Sequence, residues 1–290
     1  MVRLKFSIEL GYHVADAGCD FVFSIHAAQT RQQMVVSETL GISQVLQADI
    51  YIDAVNHNRY LRFRAAPGPL TVSYAATVDV HHYREQPEQL PEIGVLQLPG
   101  QVLPYLYPSR YCPSDRLHRL AVKEFGHLRQ GYSRVQAIRD WVNQRVTFAS
   151  NTSTGFTTAV DTLIDETGVC RDFAHLMIAL CRAVNIPARF VSGIDYGADP
   201  ALGPTDFHAY VEVYVGHRWY MFDPSGTAIP MGFVRIATGR DAADAAFATL
   251  FGGVSPSAPV IVIEALPDDH GNLALPQHIV GALSTAGAEN

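Results

Sequence analysis

Apolar and polar residues alternate from the start of the chain. Leu4, Phe6, Ile8 and Leu10 are separated by Lys5, Ser7 and Glu9, the period-2 pattern of a strand with one buried face. The alternation returns at Phe21, Phe23 and Ile25, at Ile50, Ile52 and Ala54, and at Leu61, Phe63 and Ala65 against Tyr60, Arg62 and Arg64. After the turn Pro67-Gly68-Pro69 it runs through Leu70, Val72, Tyr74, Ala76, Val78 and Val80. Many short strands without intervening helices predict an antiparallel β-sandwich over residues 1–100. No internal repeat is visible.

The pattern changes at Pro99, Pro104, Pro108 and Pro113, where aromatic residues lie between prolines and predict an ordered, extended connection over 101–114. Ser114 suits the N-cap of a helix from Asp115 to about Leu128. After Gly131, Val135, Ile138, Trp141, Val142 and Val146 recur at helical spacing. A second domain is therefore expected over 115–266, ending in a strand near Pro259 to Ala265, with 267–290 as a loosely packed tail.

Length and composition narrow the classes. The 290 residues suffice for one large domain or two ordinary ones, and 48% hydrophobic against 17% charged residues is too apolar for a disordered chain. A net charge of -7 gives no reason to expect nucleic acid or an anionic membrane as partner. No apolar run is long enough for a membrane span, and Met1 to Phe6 lead straight into the alternating pattern, so the chain is read as cytoplasmic. The four cysteines, Cys19, Cys112, Cys170 and Cys181, form no C-x-x-C pair and are each expected to be free.

One cysteine has a distinctive position. Phe173, Ala174, Met177, Ile178, Cys181 and Val184 predict a helix from about Gly168 to Val184, capped at Thr167 and ended by Asn185 and Pro187. Cys170 then lies in its first turn, where free backbone N–H groups and the positive end of the helix dipole favour a thiolate and a developing oxyanion. The bland alternative, a small buried apolar residue, fits Cys181, among the core positions of the same helix. Cys19 and Cys112 fall in a turn and the Pro-rich loop.

A base and an orienting acid follow downstream. Phe207, Ala209, Val211, Val213 and Val215 form one face of a strand, and His208, Tyr210, Glu212 and Tyr214 the other. Gly216-His217 predicts a two-residue type II′ hairpin turn, with Arg218 to Asp223 as the return strand before Pro224. If Val215 faces Arg218, Tyr210 faces Asp223, and Asp223 becomes a diagonal neighbour of His208 within about 7–8 Å. A carboxylate there fixes the imidazole tautomer and frees its other nitrogen for the thiol proton. Singly, His208 also reads as a half-exposed strand histidine and Asp223 as a turn former; a helix-start cysteine, a strand histidine and an adjacent-strand aspartate on one face are harder to ascribe to packing.

Other candidates resolve into structural readings. Cys170 and Cys181 would lie roughly 16 Å apart along the helix and His175 about 140° away on its wheel, so no metal site is expected. His175 is expected to pack or hydrogen-bond within the domain. Arg240, Asp241 and Asp244 fit a turn and a helix start, with lining of a site entrance as the alternative. Ser192-Gly193 and Gly252-Gly253 read as loop glycines without a phosphate-binding pattern. No cofactor is implied.

Four stretches together resemble the transglutaminase-like superfamily, in particular its bacterial cysteine-protease branch: Gly168-Val169-Cys170-Arg171-Asp172-Phe173-Ala174, Ile186-Pro187-Ala188-Arg189-Phe190-Val191-Ser192-Gly193, His208-Ala209-Tyr210-Val211-Glu212, and Trp219-Tyr220-Met221-Phe222-Asp223-Pro224. Residues 235–244 resemble that branch too, and the β-rich first hundred residues resemble the region that accompanies the domain in bacterial members. The resemblance implies an α+β fold, the sandwich followed by a papain-like core in which a helix carrying Cys170 packs on an antiparallel sheet carrying His208 and Asp223. It implies Cys170 as nucleophile, His208 as general base and acid, and Asp223 as orienting carboxylate. Arg171 stands where cross-linking animal transglutaminases have tryptophan, and Tyr210 where many relatives have it after His-Ala; with Asp172 beside Cys170 they are the candidates for contact with substrate. No acidic loop is spaced for calcium. The expected function is cysteine-dependent acyl transfer on an amide or peptide bond of a protein or peptide substrate, through a thioester that is hydrolysed. Transamidation or peptide ligation is the alternative within the class, and a catalytically silent protein-binding module the alternative outside it.

Overall fold

In the computed structural model, which describes residues 1–197, 205–279 and 281–286, the opening alternation becomes β1 (Val2–Val14), whose even-numbered residues are all buried. It is followed by β2 (Cys19–Phe23), β3 (Gln33–Ile42), β4 (Asp49–Ile52), β5 (Arg59–Ala65), β6 (Gly68–Val80) and the short β7 (Tyr83–Glu85). β1 pairs antiparallel with β6 along its whole length, Val2 opposite Val80 and Val14 opposite Gly68, so the inward residues of one strand meet those of the other. A second sheet carries β2, β5 and β4. The inner faces of the two sheets meet where Tyr12 packs on Phe21 and Phe23, with ring centroids 5.3 and 5.9 Å apart. This is the expected sandwich.

The second part contains α1 (Ser114–Phe125), α2 (Tyr132–Arg145), β8 (Thr147–Phe148), α3 (Ala159–Asp165), β9 (Thr167–Gly168) and α4 (Cys170–Ala183). They precede β10 (Ala188–Asp195), β11 (Phe207–Val215), β12 (Arg218–Phe222) and β13 (Phe233–Gly239), an antiparallel sheet in the order β12-β11-β10-β13. α4 packs against β10 and β11. α1 starts at Ser114 itself, one residue before the expected start, and stops before Gly126. The Pro-rich connection is ordered but coiled, with a 3-10 helix over Gly100–Leu106 whose Tyr105 meets Trp219 edge-on at 5.2 Å.

The polar face of β11 is buried, not half-exposed. Glu212 lies inside the sheet, ion-paired with Arg189 at 2.8 Å and with Arg235, and Tyr214 packs on Trp219. The Gly100–Leu106 segment covers β10 on one side. The sandwich reaches the sheet through Gln33, which donates to the Arg235 carbonyl and accepts from the Arg235 N–H, both at 2.8 Å. Paired charges replace water there, as burial of ionised groups requires.

The chain then returns to the sandwich. β14 (Ala248–Phe251) pairs with β2, while β15 (Val254–Pro256) and β16 (Val260–Leu266) pair with β1. The strand expected near Pro259 to Ala265 is thus present as β16, but residues 248–266 complete the first domain's sheets instead of closing the second. β17 (Ala282–Ser284) pairs with β7 and is buried, so this part of the expected loose tail is packed. The cause is long-range: β1 and β2 each present a second edge of unpaired N–H and C=O groups, which later strands satisfy. Among the described residues, no helix is long and apolar enough to cross a membrane.

Candidate active site

Cys170 is the first residue of α4, as the apolar period predicts. The cap differs from expectation: Val169 is the N-cap residue, and its N–H donates to Asp172 Oδ2 at 2.9 Å. Asp172 Oδ1 accepts from Ser153 Oγ at 2.9 Å. Asp172 is therefore fully buried as the brace of the helix start, not a group offered to substrate. As the first helical residue, Cys170 has a backbone N–H without an intrahelical acceptor. Its side chain is part-exposed, whereas Cys19, Cys112 and Cys181 are buried and free. Burial pushes the Cys112 thiol up to about 12 and Cys181 above the ordinary range. His175 is buried inside the domain, stacked on Tyr111 at 5.1 Å, with Nε2 accepting from the Ala242 N–H at 3.1 Å.

The hairpin has the predicted register, Val215 opposite Arg218 and Val211 opposite Phe222. Its turn is type I′, since Gly216 and His217 both have positive φ, 54° and 61°; two left-handed residues match the strand twist as well as the type II′ geometry does. Asp223 follows β12 directly and places Oδ1 3.5 Å from His208 Nε2. Its carboxylate also accepts from Ser225 N (2.9 Å), Ser225 Oγ (2.6 Å) and Ala228 N (3.0 Å).

A second carboxylate approaches the same imidazole. Asp195, at the end of β10, has Oδ2 3.2 Å from His208 Nδ1 and is 2% exposed. Gly193 lies opposite His208 on β10. A Cβ on Gly193 would come within 2.1 Å of the Val234 carbonyl and 2.2 Å of the Phe233 ring, so only glycine allows β13 this close. Ser192-Gly193 is therefore part of a strand, at a register shift between β10 and β13, and not a loop. Phe233 in turn packs edge-on against His208 at 5.8 Å.

The charges follow from this packing. Burial opposes the imidazolium, but Asp195 and Asp223, with a hydrogen bond to Cys170, outweigh it and hold the His208 pKa well above 6.5. Burial likewise opposes ionisation of Asp223, yet His208 and the hydrogen bonds from Ser225 and Ala228 keep it below the usual carboxylate range. Asp195 goes the other way: burial, opposed by His208 and reinforced by Asp223, pushes it up to about 7.

Cys170, His208 and Asp195 line one cleft of about 850 Å³ with Arg110, Arg171, Ser150 and Asn151. Asp223 is not among the lining residues; it borders a small void behind the ring with Tyr210 and Phe233. His208 Nδ1 faces Asp195, a lining residue of the cleft, and Nε2 faces Asp223 behind it. Tyr210 is buried against Phe233, ring centroids 3.8 Å apart, and does not reach the cleft. Arg171 does, with Nη2 donating to Ser153 Oγ and, at 2.6 Å, to the Thr154 carbonyl. Arg240 and Asp244 form an exposed ion pair at 2.8 Å, and Asp241 is buried, accepting from Tyr111 N at 2.9 Å; this stretch is a turn without the expected helix. Two cleft features escaped the sequence: Asp195, and the stacked pair Phe207 and Phe247, 4.3 Å apart.

Comparison with known proteins agrees with this architecture. Residues 120–224 match the transglutaminase-like superfamily, and residues 2–101 match the bacterial transglutaminase N-terminal domain. A Cytophaga hutchinsonii protein, provisionally described as a cysteine protease, has a crystal structure similar over 98% of this chain and 97% of its own, with TM-score 0.89 and 37% identity. An uncharacterised Mycobacterium leprae protein is 28% identical over 146 residues, 49% of this chain and 52% of the relative. An uncharacterised Mycobacterium tuberculosis protein is 30% identical over 124 residues, 38% of this chain and 40% of the relative. The chain thus spans about half or less of the length of these curated relatives. The near-complete match to the Cytophaga structure, with the two family matches at 2–101 and 120–224, means that the chain belongs to the transglutaminase-like superfamily.

Proposed function

We propose that the protein is a cysteine-dependent acyl-transfer enzyme that hydrolyses an amide or peptide bond through a thioester on Cys170. The observation that carries this reading is the division of the imidazole, which also hydrogen-bonds to Cys170: Asp223 faces Nε2 from outside the cleft, and Nδ1 faces Asp195, a residue of the cleft that Cys170 lines. With the thiol proton already on the His208 ring, the Cys170 thiolate attacks the substrate carbonyl carbon, and the Cys170 N–H at the helix start stabilises the oxyanion. The C–N bond breaks, and the leaving amine takes the proton from His208. Water then adds to the thioester with His208 as base, releasing the acid and restoring the thiol. Asp223 holds the ring orientation throughout.

The cleft lining supports a peptide substrate. Phe207 and Phe247 form an apolar wall, Arg110 and Arg171 lie on the cysteine side, and Ser150, Asn151 and Ser153 supply polar contacts.

The test is alkylation with limiting iodoacetamide across pH 5 to 9, followed by peptide mapping of all four cysteines in the wild type and in His208→Ala. Cys170 should react selectively at a pH where an ordinary thiol, with a pKa of about 8.5, is inert, and the variant should lose that advantage. A rate no faster than those of the other cysteines, or one indifferent to His208, overturns the reading and leaves a binding module. Adding a primary amine to a peptide hydrolysis assay then separates hydrolysis from transamidation by product.

A further inference from the structure

The sheet brings two carboxylates to His208 by the same geometric rule. Gly193 lies opposite His208, so Asp195, two residues on, is its diagonal neighbour on β10. Continuing the hairpin register past β12 puts Asp223 opposite Tyr210, making it the diagonal neighbour on the other flank. Diagonal positions point to the same face of the sheet and lie within reach of long side chains. Because the two diagonals run toward opposite ends of β11, one carboxylate meets Nδ1 and the other Nε2.

We propose that Asp195 is a positioning residue of this site, sharing the imidazole of His208 with Cys170 and stabilising the imidazolium from the side opposite Asp223. The proposal rests on the cysteine-enzyme reading and adds a fourth member to its machinery. Its support is geometric. Asp195 is almost fully buried, its Oδ2 is 3.2 Å from Nδ1, and its Oδ1 is buried without a hydrogen-bond partner among the described residues. A buried carboxylate whose ion-pair contact among the described residues is a single imidazole braces no described loop or helix end, in contrast to Asp172 and Asp223. The groups that face His208 are Cys170 from α4, Asp195 from β10, Asp223 after β12 and the Phe233 ring from β13.

The role has a defined sign. Between Cys170 and His208 the resting state is a thiolate–imidazolium pair when the ring holds the thiol proton. A negative Asp195 keeps that proton on the ring to higher pH. Cys170 alkylation therefore rises in two steps, first as the pair forms and then as the imidazolium loses its proton. In Asp195→Asn the second step should move down by about one pH unit, the size of change expected on removing an opposite charge within about 4 Å. The alkaline limb of peptide hydrolysis should move with it. Asp195→Glu, which keeps the charge, should restore the wild-type step.

The experiment is the pH dependence of Cys170 alkylation from pH 4 to 10 in wild type, Asp195→Asn, Asp195→Glu and His208→Ala, with thermal melts of each. A second step unmoved in Asp195→Asn, or moved equally by Glu, overturns the proposal. Loss of rate without a pH shift assigns Asp195 to packing alone. If His208→Ala leaves Cys170 reactivity unchanged, the cysteine-enzyme reading itself fails; if that dependence holds while Asp195→Asn shifts nothing, only the role of Asp195 falls. Should neither Asp195 variant fold, histidine-labelled wild type decides by NMR. The His208 resonance should show an inflection near pH 7 from Asp195 besides its own titration, and a single inflection refutes the proposal.

Discussion

His208 and Asp223 meet at 3.5 Å although no ladder hydrogen bond joins their residues, because Asp223 lies one position beyond the end of β12 and is held by the turn that follows it. Three hydrogen bonds, from Ser225 N, Ser225 Oγ and Ala228 N, fix the carboxylate before the imidazole uses it. Asp223→Asn should therefore leave the fold intact, at a cost of about 1–3 kcal/mol for imperfectly replaced acceptors. It should lower kcat/KM for peptide hydrolysis by about 10²–10⁴-fold through loss of ring orientation and imidazolium support. Steady-state kinetics with a parallel thermal melt checks both numbers; activity above about a tenth of wild type removes Asp223 from the mechanism.

Acid should weaken the sandwich through His26. Burial, aided by Arg59 and opposed by Glu38, lowers its pKa to about 4, and its ring lies 4.7 Å from Tyr74. A folded pKa below the unfolded value of 6.5 means that the unfolded chain binds the proton first, so stability is full above 6.5 and is lost as pH falls toward 4. The share due to His26 is about 2–3 kcal/mol between pH 7 and 4.5. Urea unfolding of wild type and His26→Phe at the two pH values measures it. An equal loss in both proteins would exclude His26 as the source.

How much of this was legible in sequence depends on range along the chain. The position of Cys170 follows from one helix, and the His208–Asp223 relation from a two-residue turn whose register propagates by counting, so local chemistry sufficed for both. Asp195 obeys the same diagonal rule, but its partner lies across a longer β10–β11 connection that contains no hairpin signal, so its register could not be counted. β3 was missed because it is an edge strand with a largely exposed, polar run from Ser37 to Thr39. α3 is short and is marked chiefly by the capping pair Thr158 and Asp161. The pairing of β14 to β16 with β1 and β2 is a choice of partner, which periodicity does not encode.

The cleft wall offers a test of substrate binding separate from chemistry. Phe207 belongs to β11, next to His208, and Phe247 to the segment returning to the sandwich, and they stack at 4.3 Å with planes 8° apart. Aromatic pairs contribute about 0.5–1.5 kcal/mol beyond area burial. Phe247→Ala should raise KM for an apolar peptide about 3–10-fold and leave kcat within about twofold, since neither ring touches the reacting atoms. A fall in kcat with KM unchanged would place Phe247 in the transition state and not in ground-state binding.

Asp172 joins stability to reactivity, and two substitutions separate the roles. One oxygen caps the Val169 N–H at the start of the Cys170 helix, and the other holds Ser153, whose hydroxyl in turn accepts from Arg171. Asp172→Ala removes both ties and should cost about 0.5–2 kcal/mol for the cap, with a further 1–3 kcal/mol for buried donors left unpaired, roughly. Ser153→Ala removes only the loop tie and should cost under about 1 kcal/mol. If the brace sets the position of Cys170, Asp172→Ala slows iodoacetamide labelling of Cys170 well below its melting temperature, whereas Ser153→Ala leaves labelling near wild type and changes KM, because Ser153 and Arg171 line the cleft on the cysteine side. Equal labelling rates in all three proteins would mean that the helix start holds its geometry without Asp172, and that the carboxylate serves stability alone.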